Sequence, residues 1–421
     1  MKTPDFNKSF CRFIDASPSV FHATKNVVDY LIQKDFTQLK ENQPWALKGG
    51  KGYFVVRNDS SVIAFTLPKK VKTQMPVRLV TSHLDSPAPR LKMCAVHEAA
   101  CLTMLPIEIY GGTILNTWLD RPLGIAGRTF SQKSGSFTLF KRDHSAVIPN
   151  LAIHLNRKCN DGEALNPQND MAAIINDDSS GDFLDALLGI DEDEALVSEL
   201  FLYDDAPAAI IGPGKAIVNA PRLDNLTSAF AALNAIAEVK DAPEICISFF
   251  ADNEEIGSNT PQGADSSFLK TIITRIMLAL GGSLEDTYIT LANSTFISAD
   301  AAHALHPSYP EKHDPKYAPI MGYGVALKTN VSGRYCTTGP MLEKFICLAN
   351  DNDISIQLFT NRADMPCGST VGPTTAAELG IPGIDLGIPM LAMHSARETA
   401  VLSDIEDLYN LMLCYYQQQR W

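Results

Sequence analysis

The fold of this chain can be read from Glu244-Ile245-Cys246-Ile247-Ser248-Phe249-Phe250-Ala251-Asp252-Asn253-Glu254-Glu255-Ile256-Gly257-Ser258. Glu244 to Phe250 is short, β-branched and aromatic, the pattern of a buried strand. Asp252 to Glu255 is acidic, and Gly257 closes the run. In an open α/β sheet, ligands bind outside the carboxyl ends of the strands, so two glutamates just past such a strand stand where chemistry is done. Neighbouring carboxylates repel unless a cation holds them, and a metal ion is the obvious one. A solvated acidic turn is the plain alternative for a lone Glu-Glu pair. The company it keeps favours a site: three other strand ends in the chain also carry Asp or His.

Outward from that stretch, β and α patterns alternate. Leu226 to Val239 has apolar residues at helical spacing, and Ser266-Ser267 can cap a helix from Phe268 to Leu280. Thr295 to Ser298 is a strand ending at Ala299-Asp300. Val325 to Lys328, Ile354 to Phe359, Gly383 to Leu386 and Met390 to His394 are further strands, with helices at Met341 to Asn350 and Asp404 to Gln418. Towards the N-terminus, Ser17-Pro18 opens a helix whose face carries Phe21, Val27, Val28 and Leu31, and there His22 is structural. Tyr53 to Arg57 and Val62 to Thr66 form a hairpin. Val77 to Thr81 is a strand running into Ser82-His83-Leu84-Asp85-Ser86-Pro87. The expected class is α/β, a mostly parallel sheet covered by helices on both faces.

From Pro89 to Gly212 the texture changes to short alternating runs, Leu105 to Tyr110, Ser136 to Phe140 and Leu151 to Leu155, broken by Gly, Asn, Asp and Pro. One helix-like piece lies near Asp182 to Leu188, and Asp191-Glu192-Asp193-Glu194 reads as a solvated loop. The expected division is a core of residues 1–88 and 213–421 with an inserted, mostly β domain at 89–212.

The 421 residues are 45% hydrophobic and 20% charged, an ordinary globular composition. A net charge of −13 argues against a nucleic-acid or anionic-membrane surface. Met1 to Val20 carries Asp5, Lys8, Arg12 and Asp15 and no apolar run, so no signal peptide is expected, and no apolar span reaches the length of a bilayer. The nine cysteines are odd in number and never spaced Cys-x-x-Cys, which reads as free thiols of a cytoplasmic protein.

Six residues at predicted strand ends form the candidate constellation: His83, Asp224, Glu254, Glu255, Asp300 and His394. Imidazole and carboxylate without thiolate suit zinc, manganese or cobalt in a hydrolytic site. Five ligands exceed one tetrahedral ion but suit two divalent ions sharing a carboxylate, and the remaining glutamate would take a proton from water.

Seven segments occur together in order: His83 to Pro87, Thr117-Trp118-Leu119-Asp120-Arg121-Pro122-Leu123, Leu151-Ala152-Ile153-His154-Leu155, Pro221 to Leu226, Asp252 to Gly257, Ser298 to His303, and Leu391-Ala392-Met393-His394-Ser395-Ala396-Arg397-Glu398. On these the chain resembles the aspartyl aminopeptidase family, the eighteenth family of metallopeptidases. The resemblance implies a dinuclear-metal peptidase core with an inserted dimerisation domain, assembling as a dimer or as a dodecamer built from dimers. It implies that His83 and Asp300 hold one metal, Glu255 and His394 the other, with Asp224 bridging. Glu254 would be the general base and Asp85 the carboxylate orienting His83. It further implies that His154 reaches a neighbouring subunit's active site, and that Lys328 reads an acidic first residue of a peptide with a free N-terminus. The family usually has Thr where Leu84 stands and often Phe where Leu119 stands, neither expected to touch metal. The segment Asp364 to Thr370 matches the family's Gly-rich loop only in part, and Cys367 there reads as a buried thiol. A related carboxypeptidase or deacylase would use a similar shell with a guanidinium clamp. A non-peptidase di-metal hydrolase is a further alternative, and a non-catalytic assembly protein would be expected to have lost a ligand or the base.

Overall fold

The computed structural model describes residues 3–92, 97–131, 135–162, 164–176, 195–240 and 242–419. At its centre is a sheet of nine strands: β1 (Thr37–Leu39), β2 (Gly52–Arg57), β3 (Ser61–Thr66), β4 (Val77–His83), β5 (Ile245–Ala251), β6 (Thr295–Ala299), β7 (Val325–Thr329), β8 (Ile356–Thr360) and β9 (Gly383–Gly387), in the spatial order β1-β2-β3-β5-β4-β6-β9-β7-β8. The middle of the sheet is parallel: β5 pairs with β4, β4 with β6, and β6 with β9. The antiparallel pairs lie towards the two edges, at β2/β3, β3/β5 and β9/β7.

Side-chain alternation explains why the centre of the sheet is covered twice. Ile245, Ile247, Phe249 and Ala251 of β5 join one apolar core, while Cys246 and Phe250 join the other. The first core is closed by α4 (Phe268–Ala279), α5 (Leu284–Ala292) and α7 (Val371–Leu379); the second by α1 (Thr3–Asp15), α2 (Val20–Gln33), α3 (Leu223–Glu238), α6 (Gly339–Asp351) and α8 (Leu402–Gln417). Such strands are apolar on both sides because neither face meets water. Arg78 of β4 is fully buried, and its Nε lies 2.6 Å from Glu244 while Nη1 donates to the Tyr415 carbonyl of α8 at 2.6 Å.

Three of these helices were not expected, α7 among them, where the Thr370 side chain caps the start by accepting the Gly372 N–H. α1 precedes Ser17-Pro18, and α5 follows Gly281-Gly282, where a capping box formed by Ser283 and Asp286 starts it. The cap of α2 is Ser19 rather than Ser17, and the Ser19 hydroxyl lies 2.9 Å from Nδ1 of His22.

Between β4 and α3 the chain builds a five-stranded antiparallel sheet from Ala88–Leu91, Ile107–Tyr110, Leu123–Ser131, Ser136–Ala146 and Ala195–Asp204, and a smaller three-stranded one. Trp118, Leu123, Ile125, Leu200 and Leu202 give this part a core of its own. Ala209–Ile211 instead pairs with Ile217–Ala220, in a sheet completed by Glu398–Val401, Pro389–Leu391 and Ala302–His303. The strand expected at Leu151 to Leu155 is a turn: the Leu155 N–H donates to the Ala152 carbonyl at 2.8 Å, and Leu151, Ile153 and Leu155 are exposed. A strand needs a neighbour to take its backbone groups, and among the described residues no strand runs beside the segment. The piece near Asp182 to Leu188 and the acidic run Asp191 to Glu194 lie outside the described residues.

The parallel register puts the chemistry at one end. Ala251 pairs with His83 across β5/β4, and Ala299 pairs with Leu386 across β6/β9, so His83, Asp252 to Glu255 and Asp300 leave the sheet together. Gly387, just past β9's register with β6, permits that close approach, since a Cβ there would fall 1.7 Å from the Asp300 carbonyl oxygen. Gly387→Ala should therefore destabilise the chain by about 1–3 kcal/mol, the usual cost of overpacking, and displace Asp300. Urea unfolding and bound-metal content together check this, and unchanged values for both would show that the strands separate without strain.

Candidate active site

Each candidate ligand arrives from a different element. His83 closes β4 and Asp300 follows β6. Asp224 lies at the irregular start of α3, where its own backbone is non-helical. Glu254 and Glu255 form a single 3-10 turn after β5, and His394 lies in a bend after Pro389–Leu391 with φ of 67°. The side chains converge. His83 Nε2 lies 3.7 Å from Asp300 Oδ1 and 3.8 Å from Asp224 Oδ1, while His394 Nε2 lies 3.5 Å from Asp224 Oδ2 and 3.4 Å from Glu255 Oε2. The two Asp224 oxygens thus face two different histidines. Glu254 Oε2 approaches His83 Nε2 at 3.9 Å, and its side chain is 14% exposed against 5% for Glu255.

Backbone carbonyls set both imidazole tautomers. His83 Nδ1 donates to the Asp85 carbonyl at 3.0 Å, and His394 Nδ1 donates to the Gly112 carbonyl at 3.0 Å. That leaves each Nε2 as the lone-pair donor towards the carboxylates, the form a metal ligand needs. Asp85, expected to orient His83 with its carboxylate, reaches it chiefly through that carbonyl; the carboxylate itself is 3.4 Å from His83 Nδ1. Its oxygens mainly accept the N–H groups of Glu254 at 3.2 Å and Glu255 at 3.1 Å and the Tyr110 hydroxyl at 2.7 Å. Asp85 therefore holds the double-glutamate turn as well as the first histidine.

The electrostatics call for cations. Burial pushes Glu254 up to about 8, with Asp300 and other carboxylates adding to it against His83. Burial and Asp224 together push Glu255 well above the usual carboxylate range. Burial alone would lower His394, but the hydrogen bond to Asp224 and the Glu255 charge raise it to about 10. Asp300 is held down at about 2 despite burial, by Lys328 and His83. Asp224 Oδ1 and Glu255 Oε1 are buried without a hydrogen-bond partner. Buried carboxylate oxygens with nothing to accept are what a metal would satisfy, and an oxygen and imidazole donor set is right for zinc. The described residues offer three overlapping donor groups: His83, Asp224 and Asp300; His83, Glu254 and Glu255; and Asp224, Glu255 and His394.

The cluster opens into a cavity of about 340 Å3 that also meets Ala301, His303, Lys328, Tyr335, Gly368 to Thr370 and Met393. Lys328 is 2% exposed; its Nζ donates to the Ala301 carbonyl at 2.6 Å and sits 5.2 Å from the centre of the Tyr335 ring. His154 is not part of this cavity and is exposed on the turn formed by Leu151 to Leu155, where a strand was expected. Cys367 is half-buried, its thiol 3.1 Å from Asn361 Oδ1. Sequence reasoning missed Tyr110, whose strand spacing carries no signal of its role, and it gave no role to Glu398, which stands four residues after His394.

A mostly parallel central sheet with imidazole and carboxylate groups gathered at its carboxyl end is the arrangement of a metal-dependent hydrolase. The family described as aminopeptidase I zinc metalloprotease (M18) matches residues 13–416. A probable M18 family aminopeptidase 2 from Stutzerimonas stutzeri is 38% identical over 425 residues, 98% of each chain. Among solved structures, Ape4 in its complex with Nbr1 matches with a TM-score of 0.93 at 32% identity, over 98% of this chain and 85% of that one. The S. cerevisiae mApe1 dodecamer matches with a TM-score of 0.83 at 26% identity, over 98% of this chain and 97% of that one. The chain belongs to the M18 family of zinc metalloaminopeptidases and is an enzyme.

Proposed function

We propose that the enzyme removes acidic first residues, Asp or Glu, from peptides with a free N-terminus, using two divalent ions, zinc in the first place, with cobalt or manganese as substitutes. The observation that carries the two-ion reading is Asp224, whose Oδ1 and Oδ2 each face a different histidine. His83 and Asp300 stand on one side, Glu255 and His394 on the other, and Asp224 between them. Bound there, the ions would lower the pKa of water and polarise the scissile carbonyl. Glu254, the more open of the two glutamates, takes the proton from that water and returns it to the leaving amine. Asp85 holds the turn carrying Glu254, and so fixes where the base points. A carboxypeptidase or deacylase reading needs a guanidinium clamp. Among the described residues lining the cavity there is no arginine, and the one permanently cationic side chain is Lys328.

Other observations bear on the domains, the assembly and the location. The separate apolar core within 89–212 supports an inserted domain on a catalytic domain of 1–88 and 213–421. The exposed Leu151, Ile153 and Leu155 around His154 support a homo-oligomer, in which a second copy covers this turn and receives His154 as an oxyanion donor. The dodecameric relative supports the same reading. The eight described cysteines are all free, which supports a cytoplasmic location. No helix among the described residues is long and apolar enough to cross a membrane. Nothing in the acidic chain favours a nucleic-acid partner.

Glu254 and Glu255 are adjacent yet should fail differently. Glu254→Gln is expected to abolish turnover with metal content near that of the wild type, and Glu255→Gln to lose metal. Metal analysis beside hydrolysis of aminoacyl reporter substrates decides this, and near wild-type turnover in Glu254→Gln would remove the base from the mechanism.

The −13 charge opposes an anionic substrate at long range, so an acidic preference needs a local cation. Truncating one partner of a buried charge pair costs about 2–5 kcal/mol, roughly thirty-fold to a few thousand-fold. Lys328→Met should lower kcat/KM for N-terminal Asp and Glu by at least the smaller factor and leave Ala or Leu substrates nearly unchanged. Equal losses for acidic and neutral substrates would make Lys328 a support of Asp300 and Ala301 instead.

Removing an oxyanion donor typically costs about 10²–10³ in turnover. His154→Ala should show that loss, and mixing it with Glu254→Gln chains should restore activity, because one site of each mixed pair is then complete. Verified mixed oligomers that stay inactive would rule out a shared site.

A further inference from the structure

The segment His394-Ser395-Ala396-Arg397-Glu398 brings one candidate ligand to the site and ends on a second buried carboxylate. We propose that Glu398 is a positioning residue of the zinc centre, one carboxylate that sets the backbones of two ligands, Asp224 and His394, against each other. Glu398 is 2% exposed. Its Oε2 accepts the Asp224 N–H at 2.9 Å, and its Oε1 accepts the His394 N–H at 2.7 Å. The two ligands come from the start of α3 and from the bend after Pro389–Leu391, elements that no backbone hydrogen bond joins at these residues. Glu398 is itself fixed by the ladder, paired with Ala220 at the end of Ile217–Ala220.

The need for such a clamp is visible at His394. Its φ of 67° lies in the left-handed region, which residues other than glycine adopt rarely, and Ala392 has φ of 57°. The bend is held from both sides: the His394 N–H by Glu398, and its carbonyl by the Ile114 N–H at 3.0 Å. Arg397 serves the same junction from the other direction. Its guanidinium donates to Asn219, to the carbonyls of Ala206 and Pro207, and to Asp204. The adjacent pair thus ties the His394 bend to the Asp224 segment on one side and to the inserted domain on the other. Glu398 is not among the residues lining the cavity at the cluster; it acts through the two ligands.

Glu398→Gln keeps the volume but turns one acceptor into a donor, so one of the two N–H groups meets another donor and moves away. Outer partners of metal ligands are typically worth 10–100-fold in affinity. The test is zinc titration of the chelator-stripped full chain against a competing dye, with the melting temperature of the metal-free chain recorded alongside. The expected result is a zinc Kd for Glu398→Gln weaker by roughly 10–100-fold. The comparison variant is Glu244→Gln, which breaks the remote pair with Arg78 at 2.6 Å and should lower the melting temperature with zinc Kd unchanged. A Glu398→Gln Kd equal to wild type overturns the proposal, and so does an equal weakening in Glu244→Gln, which would make the effect general instability. Should Glu398→Gln not fold, Glu398→Asp, which keeps both acceptors but shortens their reach, takes its place under the same two outcomes. The proposal rests on Asp224 and His394 being zinc ligands. Failure of that reading appears separately, as a wild-type chain that binds no zinc or an Asp224→Ala chain that binds it normally.

Discussion

Crowded negative charge at the carboxyl end of a buried sheet is the constraint on which this structure depends. Asp85, Asp224, Asp252, Asp300 and Glu398 are buried, and the half-buried Glu254 and Glu255 crowd against them at the same place. Burial disfavours charge, so carboxylates in such a place either keep protons or acquire cations. The directions of the shifts record that conflict. Glu254 and Glu398 are pushed up to about 8, and Asp252 to about 7, with burial as the leading cause each time.

The carboxylates resolve the conflict in two ways. An outer set takes its stabilisation from backbone N–H groups: Asp85 accepts two from the glutamate turn, Glu398 accepts those of Asp224 and His394, and Asp252 accepts that of Asn253 at 2.8 Å. An inner set has no such partners, and Asp224 Oδ1 and Glu255 Oε1 are left bare. The outer carboxylates hold the backbone that carries the inner ones, so the protein itself sets the spacing of the inner oxygens. Preorganisation of this kind supports the proposed metal centre.

The segment 110–117 brings the inserted region into the same arrangement. The Tyr110 hydroxyl donates to Asp85 and accepts from Asn253 at 3.0 Å, the Gly112 carbonyl orients His394, and Thr117 Oγ1 accepts the Ala396 N–H at 2.9 Å. A Cβ at Gly112 would lie 3.1 Å from His394 Nδ1, so that approach uses a residue without a side chain. The region between β4 and α3 is therefore more than an appendage. It supplies one wall of the shell around the histidine.

By itself the sequence determined the α/β class, most strands of the central sheet and the short list of titratable residues at their ends. The reason is local: period-2 and period-3.6 patterns and strand-end polar residues are written along the chain. The same local rule misread Leu151 to Leu155, where alternation was present but no neighbouring strand took the backbone hydrogen bonds. It also left α1, α5 and α7 unseen, since all three lie beside Pro or Gly punctuation and take much of their helicity from docking onto the cores. Tertiary structure alone decided which oxygens of Asp224 face which histidine, that Asp85 serves the glutamate turn, and that Tyr110 reaches Asp85, Gly112 reaches His394 and Glu398 reaches Asp224 across the chain. Those facts depend on the relative placement of elements joined through the sheet register and the inserted region. No spacing within one segment encodes a distance between two.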